Sequence, residues 1–254
     1  MNLVSAGLMM ALVLSACRTE GPPAASRATP STRSTPTPTT AGGVEGCSQD
    51  ANVTVLGRAN IFGAGIDELP APGGGGGGVP PPCVAIPAGA SMATVPRAGG
   101  TLSFTPLRAP ETHFHKCPGG REAVLAFGPD GDAGVCGDAS YGAIEGAGIV
   151  SGVTSKDRGG YLIGVFLPAR GKEGAPPPSL DFERNYDFAR IAPSLGQLFF
   201  IGDGRTVEER LQRFDIPRGA TRLYLGIADA WGFRGPPGFY DENYGRFRIE
   251  IRFE

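Results

Sequence analysis

Between Asp229 and Asn243 the chain gathers three carboxylates and an amide, on Asp229, Asp241, Glu242 and Asn243. A calcium ion takes six to eight oxygens at about 2.4 Å, drawn from carboxylates, side-chain amides and backbone carbonyls. This stretch offers such a set, and Gly238 and Gly245 give the backbone room to turn carbonyls inward. Asp, Asn and Gly are also what an exposed β-hairpin turn favours, so a plain polar loop explains the same composition. Trp231, the single tryptophan, shares the stretch with Phe233 and Phe239. An aromatic there can stack on the apolar face of a sugar or pack on the loop's own rings.

Other constellations are weaker. His113, His115 and Cys117 alternate, so a strand would put all three on one face, where zinc or copper binds. Pro110 precedes them and Cys117 suits a disulfide, which favours a surface loop. Asp130 and Asp132 stand two apart as in a calcium loop, but Pro129-Asp-Gly131 explains them as a turn, and Asp203 between Gly202 and Gly204 reads the same way. No nucleophile elbow, zincin helix or Ser/His/Asp set with recognisable context is present. Hydrolysis would rest on carboxylate pairs whose separation a sequence does not give. The expectation is a protein that is not an enzyme.

The elements that must position the loop are strands. Arg222-Leu-Tyr-Leu-Gly-Ile-Ala-Asp229 sets Leu223, Leu225 and Ile227 at period two and delivers Asp229 where the strand runs out. Arg246 to Glu254 puts Phe247, Ile249, Ile251 and Phe253 on one face and charged side chains on the other, a half-buried antiparallel strand. Asp229 and Asn243 are expected to end adjacent strands. Further strands are predicted at Asn52–Leu56 and, past a kink at Gly57, Ala59–Phe62; at Val84–Pro87, Thr101–Thr105, Tyr161–Leu167, Gln197–Ile201 and Leu211–Ile216. Gly73 to Gly78 with Pro80 to Pro82 reads as a flexible surface loop. Ala143 to Val153, small and apolar, reads as an inner segment where backbones approach closely. The one helix expected is short, Thr206 to Leu211, with Thr206 as cap and Glu209 three residues on. Many short strands with much Gly and Pro predict an all-β fold, an antiparallel, jelly-roll-like β-sandwich.

Three segments are expected. Residues 1–17 read as a lipoprotein signal peptide: the apolar run Leu8 to Leu14 is too short to span a bilayer and leads into Leu14-Ser-Ala-Cys17, which resembles the bacterial lipobox. The only positive charge ahead of that run is the amino terminus. On this reading Cys17 is acylated and anchors the chain, since several acyl chains hold a protein at a membrane. Arg18, where an Asp would favour inner-membrane retention, leans toward the outer membrane of a bacterial envelope. Residues 18–46, rich in Pro, Ser and Thr, have too little apolar surface to repay ordering and read as a disordered tether. Residues 47–254 have the length of one all-β domain. Cys47, Cys83, Cys117 and Cys136 suggest two disulfides in an exported chain; of three pairings, Cys47 with Cys83 and Cys117 with Cys136 are favoured. A formal charge of -2 without a basic run argues against nucleic acid as a partner.

Leu223 to Asp229, then Pro237-Gly-Phe-Tyr-Asp-Glu-Asn-Tyr-Gly245, then an alternating terminal strand, resembles the closing segment of LecA-like bacterial lectins, jelly-roll sandwiches that bind galactose through calcium. The segments Ala59 to Gly65, Phe199 to Gly204 and Pro217 to Gly226 resemble a broader set of bacterial exported proteins with that sandwich. The lectin resemblance implies calcium ligands at Asp229, at the Phe239 carbonyl and at Asn243, with Glu242 where the lectins have asparagine, and a backbone ligand at Tyr141 in Tyr141-Gly142. The His and Gln with which those lectins grip galactose have no counterpart between Gly142 and Tyr161, so metal binding transfers better than sugar binding. Two functions are therefore expected to compete: a membrane-anchored, calcium-binding module that takes carbohydrate, with Trp231 and Asp241 at the ligand, and a non-catalytic envelope protein in which calcium is structural and the partner is a protein or polymer.

Overall fold

The computed structural model describes residues 46–103, 127–131, 141–170, 174–183 and 185–254. The chain divides into Met1–Ala41 and Gly42–Glu254, and all described residues belong to the second unit. Cys17, residues 18–45 of the tether, His113, His115, Asp132 and the Cys117–Cys136 pair lie outside the described residues. Among the described residues no helix is long and apolar enough to cross a membrane.

The fold is all-β. Its strands are β1 (Asn52–Leu56), β2 (Cys83–Ala85), β3 (Met92–Ser103), β4 (Ala143–Ile144), β5 (Val153–Thr154), β6 (Leu162–Leu167), β7 (Leu180–Asp181), β8 (Arg190–Ile191), β9 (Leu198–Phe200), β10 (Arg213–Asp215), β11 (Arg222–Ile227) and β12 (Tyr244–Phe253). They form a five-stranded sheet, β1-β12-β3-β10-β8, a four-stranded sheet, β2-β11-β6-β9, and a small sheet, β4-β5-β7. Apart from the small sheet, successive strands alternate between the two large sheets, so the chain wraps the core instead of folding back in hairpins. Pairing is antiparallel except at β8 with β10 and β5 with β7.

The apolar patterns explain the layers. Val53 and Val55 of β1 and Phe247, Ile249 and Ile251 of β12 are buried and alternate with exposed polar residues. Leu223, Leu225 and Ile227 of β11 are buried as their spacing predicts, and β6, an unbroken apolar run, is buried at all six positions. A disulfide joins Cys47 to Cys83, with Cα atoms 4.7 Å apart. It ties the start of the domain to β2, where the Ser48 amide donates to the Cys83 carbonyl at 2.9 Å and the Ala85 amide to the Ser48 carbonyl at 2.8 Å.

Several expectations need correction. The strand expected at Thr101 begins at Met92 and runs through Pro96 and Gly99-Gly100. Opposite it the β12 register slips between Glu250 and Arg252, so Val95 and Pro96 together face Ile251. A β-bulge of this kind accepts a residue that has no N–H to give the ladder. Ala59 and Asn60 make single bridges to Val79 and Ile227, and the chain then turns in a 3-10 helix, Ile61–Gly63, whose Phe62 amide donates to Asn60 Oδ1 at 3.0 Å. Thr206 to Leu211 is not a helix. Arg205 bridges Leu211 around a turn in which Glu209 takes a left-handed φ of 61° and the Val207 amide donates to Asp187 Oδ1 at 2.7 Å. The Ala143–Val153 segment does bring backbones close: a Cβ on Gly146 would meet the Val150 carbonyl oxygen at 2.7 Å.

Candidate functional site

Asp229 follows β11 and Asn243 precedes β12, and those strands belong to opposite sheets. The connection is therefore no hairpin loop between neighbours; it carries the chain across the edge of the sandwich, through two 3-10 turns at Trp231–Phe233 and Tyr240–Glu242. Asp229 and Asn243 nevertheless meet. Both are buried, at 2% and 3% exposure, and the Asn243 Nδ2 donates to Asp229 Oδ2 at 2.7 Å. The same nitrogen donates to the Gly57 carbonyl at 3.1 Å, while Asp229 Oδ1 accepts from the Ala230 amide at 2.8 Å. With two acceptors facing its nitrogen, the amide turns Oδ1 away from them, and that oxygen is buried without a hydrogen-bond partner. An orphaned acceptor of this kind costs about 1–3 kcal/mol.

Tyr240 holds the pair in position. Its ring is fully buried, and its hydroxyl donates to the Ile227 carbonyl at 2.7 Å and accepts from the Asp229 amide at 3.2 Å. Burial pushes the Asp229 carboxyl well above the usual carboxylate range; the Asn243 hydrogen bond opposes this shift and the nearby Glu242 carboxylate adds to it. Burial likewise raises Glu242 to about 7. Burial and the Glu242 carboxylate both work against ionising Asp229, beside an amide oxygen that has no hydrogen-bond partner. A hard divalent cation would favour the ionised carboxylate and give such an oxygen a partner.

A glycine run clamps this loop from outside. Gly73 donates to the Pro237 carbonyl at 2.7 Å, Phe239 to that of Gly74 at 2.7 Å, Asp241 to that of Gly75 at 3.1 Å, and Asn60 Nδ2 to that of Gly77 at 2.9 Å. Side chains would not fit: a Cβ on Gly74 would stand 2.7 Å from the Phe239 ring, and one on Gly78 would fall against the Arg58 carbonyl oxygen and 2.8 Å from Tyr240 Cβ. The stretch expected as a flexible surface loop is thus a hydrogen-bonded strap, and glycine is required there because two backbones lie in contact.

The remaining expected residues are distributed around the pair. Phe239 adopts a left-handed φ of 67°, uncommon outside glycine, and its ring lies 4.9 Å from that of Trp231, which is 62% exposed. Asp241 is exposed and bonded to Arg58 Nη2 at 2.7 Å. Tyr141 stacks on Phe233 at 5.4 Å, and its segment continues along the loop through an Ile144–Gly235 bridge. Among the described residues no three His, Cys, Asp or Glu side chains gather as a metal cluster. A cation at Asp229 would thus be held by the carboxylates of Asp229 and Glu242 and by backbone carbonyls, with the Asn243 amide turned over so that Oδ1 instead of Nδ2 faces Asp229 and Gly57, a hard-ion oxygen set. Elsewhere, Asp130 Oδ1 accepts from the Asp203 amide at 3.0 Å and Asp203 Oδ1 from the Arg205 amide at 2.8 Å, beside a cavity of about 290 Å³. Both aspartates serve turns, as expected.

Sequence reasoning missed Tyr240, the Gly57 carbonyl and the strap. Tyr240 carried a signal, an aromatic with a polar tip inside an acidic turn; Gly57 acts through its backbone and left none. No protein-family model and no curated protein matches the chain.

Proposed function

We propose that the protein is a calcium-binding β-sandwich module, anchored to the bacterial envelope through lipid on Cys17, whose loop presents Trp231 to a carbohydrate. One observation carries the metal reading: the Asn243 Oδ1, buried and unpartnered, sits on an amide bonded to the buried Asp229 carboxylate, with Glu242 close enough to repel that carboxylate. Calcium supplies the positive charge that makes both carboxylates stable when ionised. The residues do the rest: Tyr240 fixes the Asp229 backbone, the Gly57 carbonyl aims the Asn243 amide, and Arg58 draws Asp241 outward. The exposed indole, backed by Phe239, supports the carbohydrate.

A second reading is favoured by the strap and the Arg58–Asp241 ion pair, which make the loop a structural join between sheets. In it calcium only locks the loop and a protein or polymer is the partner. A glycan array probed with the full chain, with calcium and with chelator, separates the two. Sugar retention that chelator abolishes is expected on the first reading; a melting temperature lowered by chelator with no sugar retained on either array supports the second.

A further inference from the structure

The outer face of the β1-β12-β3 sheet carries charge opposite to that of the whole chain. Alternation along β12 sends Arg246, Arg248, Glu250 and Arg252 outward. The ladder sets Arg248 between Thr54 and Gly99, Glu250 between Asn52 and Arg97, and Arg246 between Leu56 and Thr101. Four arginines thus share a face with one glutamate, on a chain whose formal charge is -2. Glu250 is engaged by Arg252 at 3.0 Å and Arg97 at 3.9 Å. The side chains of Arg246 and Arg248 are exposed and make no hydrogen bond or ion pair with a described residue. Outward residues two apart on a strand stand about 7 Å from each other, close enough for like charges to repel.

The face is also hollow. A trough of about 480 Å³ runs over Asn52, Thr54, Arg97, Gly99, Gly100, Arg248 and Glu250. Gly99 forms its floor beside Arg248, and a Cβ built there would meet nothing within 4 Å. The missing side chain leaves a slot flanked by guanidinium groups.

We infer that this trough binds an acidic polysaccharide, a glycan bearing carboxylate or sulfate groups. The guanidinium fork matches a carboxylate or sulfate with two parallel hydrogen bonds. Thr54, Asn52 and Glu250 supply donors and acceptors for sugar hydroxyls beside those anions. A membrane surface suits the face less well, because Glu250 stands among the arginines and the exposed large apolar side chains on these three strands are two, Leu56 and Tyr244. The site is separate from the Asp229 loop and needs no calcium.

The test uses the full chain in excess chelator, so that the calcium loop contributes nothing, with polygalacturonate as probe, neutral dextran as control and phosphatidylglycerol vesicles as the competing surface. Arg248→Glu reverses the central charge, and Gly99→Glu fills the slot at a position with open space above it. Retention on polygalacturonate and not on dextran, weakening as salt rises, is expected. Each variant raises the Kd roughly tenfold or more with the melting temperature unchanged. Passage of the wild-type chain without retention, equal binding by both variants, or a loss on variation seen only with the vesicles would overturn the proposal.

Discussion

At the scale of single residues, the site is a balance of burial against charge. Asp229 and Glu242 both have folded-state pKa values raised above their ordinary ones, first by burial. Below the unfolded value both states hold the proton and pH has no effect through these groups. Above it, the native state keeps a proton that the unfolded chain has released, so raising the pH works against folding until the folded value is passed. The calcium-free protein is therefore expected to lose stability as pH rises from about 4 to about 7. Urea midpoints in chelator across that range check this, and Glu242→Gln should flatten the upper part of the decline. With calcium added, the proposed site predicts that the trend reverses, because the ion would favour the ionised carboxylates. The candidate pair was legible in the sequence: Asp229 ends an alternating strand, and Asn243 stands just ahead of another. What the sequence withheld was the mode of meeting. The two strands lie in opposite sheets, and no local pattern encodes which sheet a strand joins.

At the scale of elements, local patterns read well where a strand's two faces differ and poorly where a distant partner decides. The alternation in β11 and β12 and the unbroken apolar run of β6 identified those strands directly. The first half of β3 was hidden, because Pro96 and Gly99-Gly100 look like breakers until the bulge opposite Ile251 is known. The expected helix at Thr206 failed for a similar reason: Asp187, far back in the chain, takes the Val207 amide that a helix start would leave to its own cap. The glycine run was misread since composition reports freedom, whereas here it reports contact. Gly78, with φ of 76° and no room for a Cβ against Arg58 and Tyr240, should be intolerant: Gly78→Ala is expected to cost about 2 kcal/mol or more and to weaken calcium binding. Gly77, whose Cβ would meet only atoms at 3.9 Å and beyond, should accept alanine at a cost under about 1 kcal/mol. Denaturant melts of the two variants side by side test whether the strap is structural.

At the scale of the whole fold, two large sheets that exchange strands at every step outside the small sheet enclose one core, and the Asp229–Asn243 loop that carries the chain over the edge of the sandwich holds a buried polar cluster. Closure of the β2 edge depends on the Cys47–Cys83 bond, which spans 36 residues of chain. Replacing both cysteines by serine is expected to lower stability by about 3–4 kcal/mol, read from denaturant midpoints. The Asp229–Asn243 loop and the arginine face lie on different parts of this frame, so each can be altered without the other. The central claim, that Asp229, Glu242 and Asn243 share a calcium ion, is tested most directly by calorimetric titration of calcium into the chelator-stripped full chain. One site per chain is predicted for the wild type, weaker binding for Glu242→Gln, and no heat for Asp229→Ala at an unchanged circular dichroism spectrum. A wild-type chain that gives no heat, or an Asp229→Ala chain that titrates normally, would contradict it.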